Sequence, residues 1–260
     1  MSRAIFWVST VLALLFLVVP LALVMPLAFN GSSFLTYPME GFSLKWFEEV
    51  FTEGNWVRAF GNSLKVALGT TAVALVIGGL AATGLMLTGR WLQIVLTGLF
   101  VSPMIVPSIV IGVAFAYSFG RMGLSGSYAG LVLSHSILAA PLVFLSILTS
   151  LRGLDPDLDL AAASLGASRG QRFRHVTLPL AAPGFAAGAL FAFTTSFDEV
   201  VVALFVASPD SLTLPVALFA GLRDRLQPTL VVVALLLSLI SFAFLWLMAR
   251  LQRLNAPQKP

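Results

Sequence analysis

Two adjacent carboxylates, Asp198 and Glu199, interrupt an otherwise apolar stretch that runs from Pro183 to Val206. An acidic pair inside such a stretch is costly unless it meets water, a partner or a conduit. One reading puts at least one of them, with Ser196 beside it, on a path that attracts a cationic solute. The other makes them hydrogen-bonding partners of neighbouring helices, or sets them at a wet outer mouth. Adjacent helical residues diverge by about 100°, so the two are not expected to face the same way. His135, in Ser134-His135-Ser136, also lies in an apolar run. A lone histidine there reads first as a packing and hydrogen-bonding residue. With two histidines and no cysteine, no metal-ligand spacing exists. The chain has no Gly-x-x-x-x-Gly-Lys-Ser/Thr phosphate loop and no His-Glu-x-x-His pair. The expected chemistry is recognition and passage of a solute, with no cofactor, no metal and no catalysis in this chain.

A second distinctive segment is polar and lies between two apolar ones. It reads Asp155-Pro156-Asp157-Leu158-Asp159-Leu160-Ala161-Ala162-Ala163-Ser164-Leu165-Gly166-Ala167-Ser168, then passes Phe173, Val176 and Leu178-Pro179 to Pro183-Gly184. Asp155 is placed to N-cap a helix, and Pro156 suits its first position. Asp157 and Asp159 fall in the first turn, where negative charge complements the helix dipole. Leu158, Ala161, Ala162 and Leu165 recur at helical spacing and form an apolar stripe with small residues in its middle. Gly166 permits a left-handed stop. Ser168 is placed to cap a second short helix, with Arg169, Arg172, Arg174 and His175 outside and Phe173 and Val176 inside. Pro179 is expected to end it, and Pro183 to begin the next apolar element. Small residues at 161, 162 and 166 allow a close backbone approach. The segment reads either as an ordinary connection or as a surface docked by another protein.

A membrane-spanning framework must position these residues. Of 260 residues, 58% are hydrophobic and 10% charged, against roughly 25% charged in soluble domains. The mean hydropathy is +0.98. Apolar segments at 5–29, 63–87, 92–118, 128–150, 183–206 and 228–249 are each long enough to cross about 30 Å of hydrocarbon. Their hydrophobicity is continuous and does not alternate, which favours helices over barrel strands. The expected fold is all-α and polytopic, with six transmembrane helices in one domain over 1–260, embedded in a lipid bilayer. The first segment exceeds the about 7–15-residue core of a signal peptide and reads as an uncleaved span. The net charge of +4 does not imply nucleic acid, because the basic residues sit in short loops beside apolar spans. Six spans put nine Lys and Arg on the side of the termini and six on the other. The positive-inside rule then favours N-in and C-in, with loop 151–182 in the cytoplasm.

Details within the spans add expectations. Gly184, Gly188 and Ala192 form a small-residue stripe, as do Gly78 with Ala82 and Gly79 with Thr83. Such stripes let helices approach closely, by default within the chain. Pro103 and Pro107 free backbone groups in the third segment, which is expected to kink. In the long outer loop, Leu44, Phe47 and Phe51 share a helical face flanked by Trp46 and Val50. This predicts an interfacial helix N-capped by Ser43.

The 155–184 segment resembles the EAA loop of ATP-binding-cassette (ABC) importer permeases. That pattern is Glu-Ala-Ala, three residues, Gly, then a hydrophobic-x-Leu-Pro ending. Ala161, Ala162, Gly166, Leu178 and Pro179 match it, while the Glu falls on Leu160 with Asp159 adjacent. The resemblance extends through Asn62-Ser63, where the second span begins, and Thr213-Leu214-Pro215-Val216. It implies a MetI-like permease in the bacterial inner membrane. Its implied partners are a cytoplasmic ABC ATPase dimer that binds the ATP, a second homologous permease subunit and a periplasmic solute-binding protein. The implied ATPase-coupling residues are Asp159, Ala161, Ala162, Gly166, Ala167 and Pro179.

Ser196-Phe197-Asp198-Glu199-Val200, Thr213-Leu214-Pro215 and Gly221-Leu222-Arg223 look most like the polyamine (spermidine/putrescine) type. That resemblance implies a cationic organic solute passing Ser196, Asp198 and Glu199. The alternative is an ABC permease for another small solute, such as an amino-acid derivative or an anion. A stand-alone carrier or channel is the rival from another class. It is expected to show inverted repeats and more intramembrane polar residues, and the sequence has neither.

Overall fold

The computed structural model describes residues 3–52, 55–224 and 227–254, with the side chains of 4, 224 and 243–254 outside the described set. Its helices are α1 (Arg3–Val24), α2 (Lys45–Thr52), α3 (Trp56–Leu85), α4 (Arg90–Val101), α5 (Ser108–Met122), α6 (Tyr128–Arg152), α7 (Pro156–Ser164), α8 (Arg169–Arg172), α9 (Leu178–Phe197), α10 (Val201–Val206), α11 (Leu214–Asp224) and α12 (Pro228–Leu254). The all-α class is as expected.

The number of crossings is not. Ile5–Phe29, Trp56–Leu85, Tyr128–Arg152 and Arg169–Phe197 are long and apolar enough to span a bilayer. A fifth results if Arg90–Ile105 and Ser108–Met122, which meet at 91°, count as one. The described residues thus give four or five spans where the sequence predicts six. In the third segment the expected kink is a break. Pro107 disfavours helical backbone in the residue before it, and Val106 is extended at φ −76°, ψ 128°. The fifth segment is displaced from 183–206 to Arg169–Phe197, because the chain stays helical through Pro179 and breaks after Phe197. In the sixth, the described apolar part, Pro228–Phe242, is too short for a crossing. The rest of 228–249 lies among the residues whose side chains are outside the description, as do Arg250 and Arg253. Glu53, Arg225 and Lys259 also lie outside the described residues.

Two compact units are present. One comprises the residues up to Arg58 and those from Leu218 on. Here α1 leads into a tight 3₁₀ turn, Met25–Phe29, against which α2 and α12 pack. Asn30 ties the following loop. Its side chain accepts from the Glu40 amide at 2.9 Å and donates to the Phe34 carbonyl at 3.1 Å. Its own carbonyl accepts from the Trp46 indole at 2.8 Å. That bond draws Trp46 inward, so α2 buries Trp46 and Val50 and leaves Leu44 and Phe51 exposed. Leu44 and Phe51 of the expected interfacial face are thus left uncovered by protein, while the flanking Trp46 and Val50 pack inward. Ser43 Oγ does accept from the Lys45 amide, at 3.2 Å.

The other unit, Ala59–Ala217, is built around α6. Val143, Phe144, Ile147 and Leu148 of α6 are buried against Ala74 and Ala82 of α3 and Ala181 and Ala192 of α9. Small residues set these spacings. A Cβ on Gly184 would lie 2.4 Å from Ser150 Cβ, and one on Gly78 would lie 2.9 Å from the Phe144 amide nitrogen. Ser146 Oγ donates to the Gly184 carbonyl at 3.0 Å. The glycine stripes therefore close helix contacts inside this chain.

Adding a methyl group at such a contact is overpacking, which costs about 1–3 kcal/mol. Gly184→Ala is expected to lower thermal stability by that order in detergent. Gly98→Ala, where a Cβ meets nothing within 4 Å, is expected to leave it unchanged or slightly raised. Melting curves followed by size-exclusion fluorescence check this, and equal melting of the two variants would contradict the close contact.

Candidate functional site

The segment between α6 and α9 is rigidly built from local signals. Asp155 caps α7, its Oδ1 accepting from the Asp157 amide at 3.0 Å, with Pro156 in the first turn. The C-terminus closes as a Schellman motif. The Gly166 amide donates to the Ala163 carbonyl at 3.0 Å, and the Ala167 amide to the Ala162 carbonyl at 3.1 Å. This requires φ +82° at residue 166, a conformation glycine takes without a Cβ penalty. Ser168 and Gln171 then form a reciprocal capping box at α8. Arg172 pairs with Asp159, holding α8 against α7. Asp159 is thus spent on an internal ion pair.

The absence of a Gly-x-Ser-x-Gly turn, expected from the sequence, needs a correction in spacing, because Gly166-Ala167-Ser168-Arg169-Gly170 satisfies that pattern. A nucleophile elbow needs a strand before the serine and a helix after it. Here Ser168 follows α7 and accepts the Gln171 amide with its Oγ, so it is a helix cap.

Although its ends are fixed, α7 buries none of its residues. Leu158, Leu160 and Leu165 are exposed, Leu165 to 89%. Ala161 and Gly166 are exposed, while Ala162 and Ala167 are half-buried. Below the Gly166 turn, a cleft of about 340 Å³ lies between Leu165, Gly166 and Ala167 on one wall and Gln171, Arg172, His175 and Val176 on the other. Phe173, expected inside, is exposed.

Pro179 does not end the second helix. Residues Phe173–Thr177 form a π-helical turn, with the Leu178 amide donating to the Phe173 carbonyl. This wider turn precedes Pro179, which falls in the first turn of α9, and a π turn is one of the local adjustments that accommodate proline in a membrane helix. Helical structure therefore runs unbroken from Arg169 to Phe197. The 20 residues of α9 alone cover about 30 Å at 1.5 Å each, and they join the loop to the acidic pair.

At the far end α9 stops at Asp198, with φ −98° and ψ 1°. Asp198 and Glu199 therefore sit in a break between α9 and α10, not inside a continuous span. Asp198 is exposed. Glu199 is occupied, since its Oε1 caps α10 by accepting the Val202 amide at 2.8 Å. Ser196 faces the other way and is buried. Its hydroxyl lies 2.9 Å from His135 Nδ1 and donates to Thr70 Oγ1 at 3.2 Å. His135, Ser196 and Thr70 thus link α6, α9 and α3, and His135 has the hydrogen-bonding role expected of it. The structure brings Asp198 and Glu199 together but separates Ser196 from them by burial.

An apolar cavity of about 820 Å³ lies between α3, α6 and the bent α4–α5 pair. Its two hydroxyl-bearing residues, Thr88 and Ser136, both donate to backbone carbonyls. It offers nothing to a polar solute.

The two remaining motif pieces meet in space. Asn62 Nδ2 donates to the Asp210 and Leu212 carbonyls at 3.0 and 2.9 Å, while its Oδ1 accepts from Tyr128 at 2.7 Å. Ser63 Oγ accepts the Leu214 amide at 2.8 Å. Asn62 thus clamps loop 207–213 to α3 and α6. Tyr128, the third member of this clamp, had no signal in its own neighbourhood of the sequence. Replacing Asn62 by Leu removes the donor to the Leu212 carbonyl, at about 1–3 kcal/mol for a buried group left unpaired, and leaves Tyr128 and the Asp210 carbonyl only their own 3.4 Å contact. Asn62→Leu is expected to lower folded yield and to make loop 207–213 sensitive to protease, and limited proteolysis in detergent measures this. A wild-type cleavage pattern would contradict the clamp.

Apolar spans packed on α6, with a stiff two-helix loop continuous with one of them, define a multi-pass membrane protein. The family described as binding-protein-dependent transport system inner membrane component matches residues 74–255, and the chain belongs to it. It is 29% identical to the spermidine/putrescine transport system permease protein PotC of Haemophilus influenzae, over 92% of this chain and 93% of that protein. It is 30% identical to the putrescine transport system permease protein PotI of Escherichia coli, over 95% and 91% of the two chains. A bacterial ABC transporter involved in import of the acidic polysaccharide alginate has a chain of the same fold. Its TM-score is 0.69, with 16% identity, 96% of this chain covered and 98% of that one. This chain is accordingly the transmembrane permease subunit of an ABC importer in the bacterial inner membrane.

Proposed function

We propose that this permease imports a polyamine or a related cationic organic solute, and that its 151–182 loop is the element worked by a cytoplasmic ATPase dimer. In this reading the chain crosses the membrane six times with both ends inside. It pairs with a second permease subunit and receives solute from a periplasmic binding protein. The observation that carries the coupling role is the bare apolar stripe of α7. Each end of this helix is capped, yet none of its residues is buried, so the stripe is left mostly uncovered within the described chain. The residues of the docked face are Ala161, Ala162, Gly166 and Ala167. Asp159 acts from behind by holding α8, and Pro179 by joining α8 to α9.

Closure of the ATPase dimer on ATP pulls the loop, and α9 carries the displacement to the break at Asp198. Hydrolysis lets the spans return. The solute reading rests on the exposed carboxylate of Asp198 and on the names of PotC and PotI. The fold also serves import of an acidic polysaccharide, so it does not select the sign of the cargo. Glu199 stays with its helix cap, and Ser196 with His135 and Thr70. Asp198 is therefore the residue left to meet a cation.

Ala162→Asp puts a carboxylate into the docked face, and Gly166→Glu does so while also straining the left-handed turn at φ +82°. A buried charge without a partner costs several kcal/mol at an interface, and 1.4 kcal/mol is already about tenfold. Both variants are expected to cut uptake and ATPase stimulation at least about tenfold at normal membrane level. All three quantities should be measured on the same membranes, and unimpaired uptake would remove the loop from coupling.

Asp198→Asn is expected to reduce putrescine or spermidine uptake while leaving the membrane level and basal ATP hydrolysis as they were. Uptake equal to that of the wild type would take Asp198 off the path.

A further inference from the structure

Helix α4 bridges a hollow. Residues 86–89 tie its start to α3, and near its other end the Phe100 ring lies 4.7 Å from that of Phe144 on α6. Between these ties α4 buries none of its residues. The apolar cavity of about 820 Å³ lies against it, with Leu96 and Leu99 as one wall and α3 and α6 as the other. From Val73 to Leu85 the α3 wall runs about 18 Å at 1.5 Å per residue, and no charged residue lines it. That length is close to one leaflet, which is half of an about 30 Å hydrocarbon core. The cavity is open at its side, since Leu80 of α3 and Leu99 of α4 are 70% and 68% exposed.

What suits the cavity follows from its walls. The hydroxyls of Thr88 and Ser136 are spent on backbone carbonyls, so water gains too few partners to reside there. Hydrocarbon gains dispersion contact with every wall, and the bilayer beside the open face supplies it. The mouth shows which way such a chain points. Leu85 clusters with Leu148 and Leu151 of α6, so the Thr88 end lies on the side of the 151–182 loop. Arg90 and Trp91 begin α4 at this end, and both are exposed. Arginine and tryptophan in this setting suit the headgroup level of a bilayer. Arg152 ends α6 on the same side. No Asp or Glu occurs from 59 to 154, and the one ion pair among the described residues joins Asp159 to Arg172. The cationic mouth is thus left without a carboxylate and complements a phosphate. We propose that this cavity holds an acyl chain of a phospholipid from the leaflet on the side of the loop, with its phosphate at Arg90. Anionic headgroups are preferred over zwitterionic ones. The lipid then packs between α4 and the α3–α6 pair as a side chain would.

Gly84 lines the cavity, and a Cβ built on it meets nothing within 4 Å. Gly84→Leu therefore sets a side chain where the acyl chain lies. The full-length chain is purified from membranes with its bound subunits and washed in detergent, and retained phospholipid is counted by native mass spectrometry. The wild type is expected to keep phospholipid, and Gly84→Leu to keep about tenfold less. Arg90→Glu is expected to lose phosphatidylglycerol in preference to phosphatidylcholine, and equal loss of the two overturns the headgroup assignment. A wild type washed free of lipid, or a Gly84→Leu variant that keeps as much as the wild type, overturns the site. Loss of a bound subunit from Gly84→Leu at an unchanged lipid count assigns the cavity to a subunit contact and overturns it too. A second measurement needs no variant. Phosphatidylglycerol carrying a photoactivatable diazirine on its acyl chain is expected to label 73–88 and 96–103 in the wild type, and labelling confined to other segments overturns the proposal.

Discussion

The close approach of α6 and α9 is the constraint on which the rest depends. In a bilayer, hydrocarbon chains are as apolar as leucine, so helices are not driven together by exclusion from water. Contact must come from shape and from hydrogen bonds. Gly184 and Gly188 provide the shape against Ser150 and Val143, and Ser146 bonds to the Gly184 carbonyl. Further along, Ser196 reaches His135 and Thr70. The polar bonds and the glycine contacts lie on one side of α9, which fixes its rotation about its own axis. That leaves Asp198 and the exposed residues of α9 on the other side, where a solute or a second subunit can meet them.

The loop has the opposite character, since its rigidity is entirely local. Asp155, the Gly166 turn and the Ser168–Gln171 box each satisfy backbone groups within a few residues. The Asp159–Arg172 pair then joins the two short helices. Isolated helices this short are unstable in water, so the density of caps is what lets α7 and α8 persist without a buried core. An element of this kind can keep its shape when it is not docked. It can therefore transmit displacement instead of folding anew at each encounter.

How much of this could be read from residues alone follows the same division. The caps at Asp155 and Ser168, the left-handed stop at Gly166 and the membrane class were legible because their causes lie within a few positions. The hydrogen-bonding role of His135 was legible from its surroundings. What failed depended on distant partners or on backbone adjustment. Spacing gave Trp46 only a flanking place on α2, but the Asn30 carbonyl claims its indole and buries it. Pro179 looked like a stop, and a π turn carries the helix past it. Pro107 looked like a kink and is a break, with the two arms at 91°. Asn62 and loop 207–213, some 150 positions apart, carried a family likeness, but no local pattern told of the clamp between them.

The π turn has one more consequence. A helical rod has a phase as well as a length, because each residue advances it by 1.5 Å and rotates it by about 100°. The wide turn at Phe173–Thr177 sets the azimuth at which α8 leaves α9, while the contacts with α6 set the azimuth of α9 itself. Orientation of the loop relative to the bundle is thus written in residue count. A single inserted or deleted residue between Thr177 and Gly184 would leave every cap intact and still swing the exposed face of α7 about a quarter turn relative to the bundle. Chain length here is a tuned quantity, as the number of teeth is in a gear.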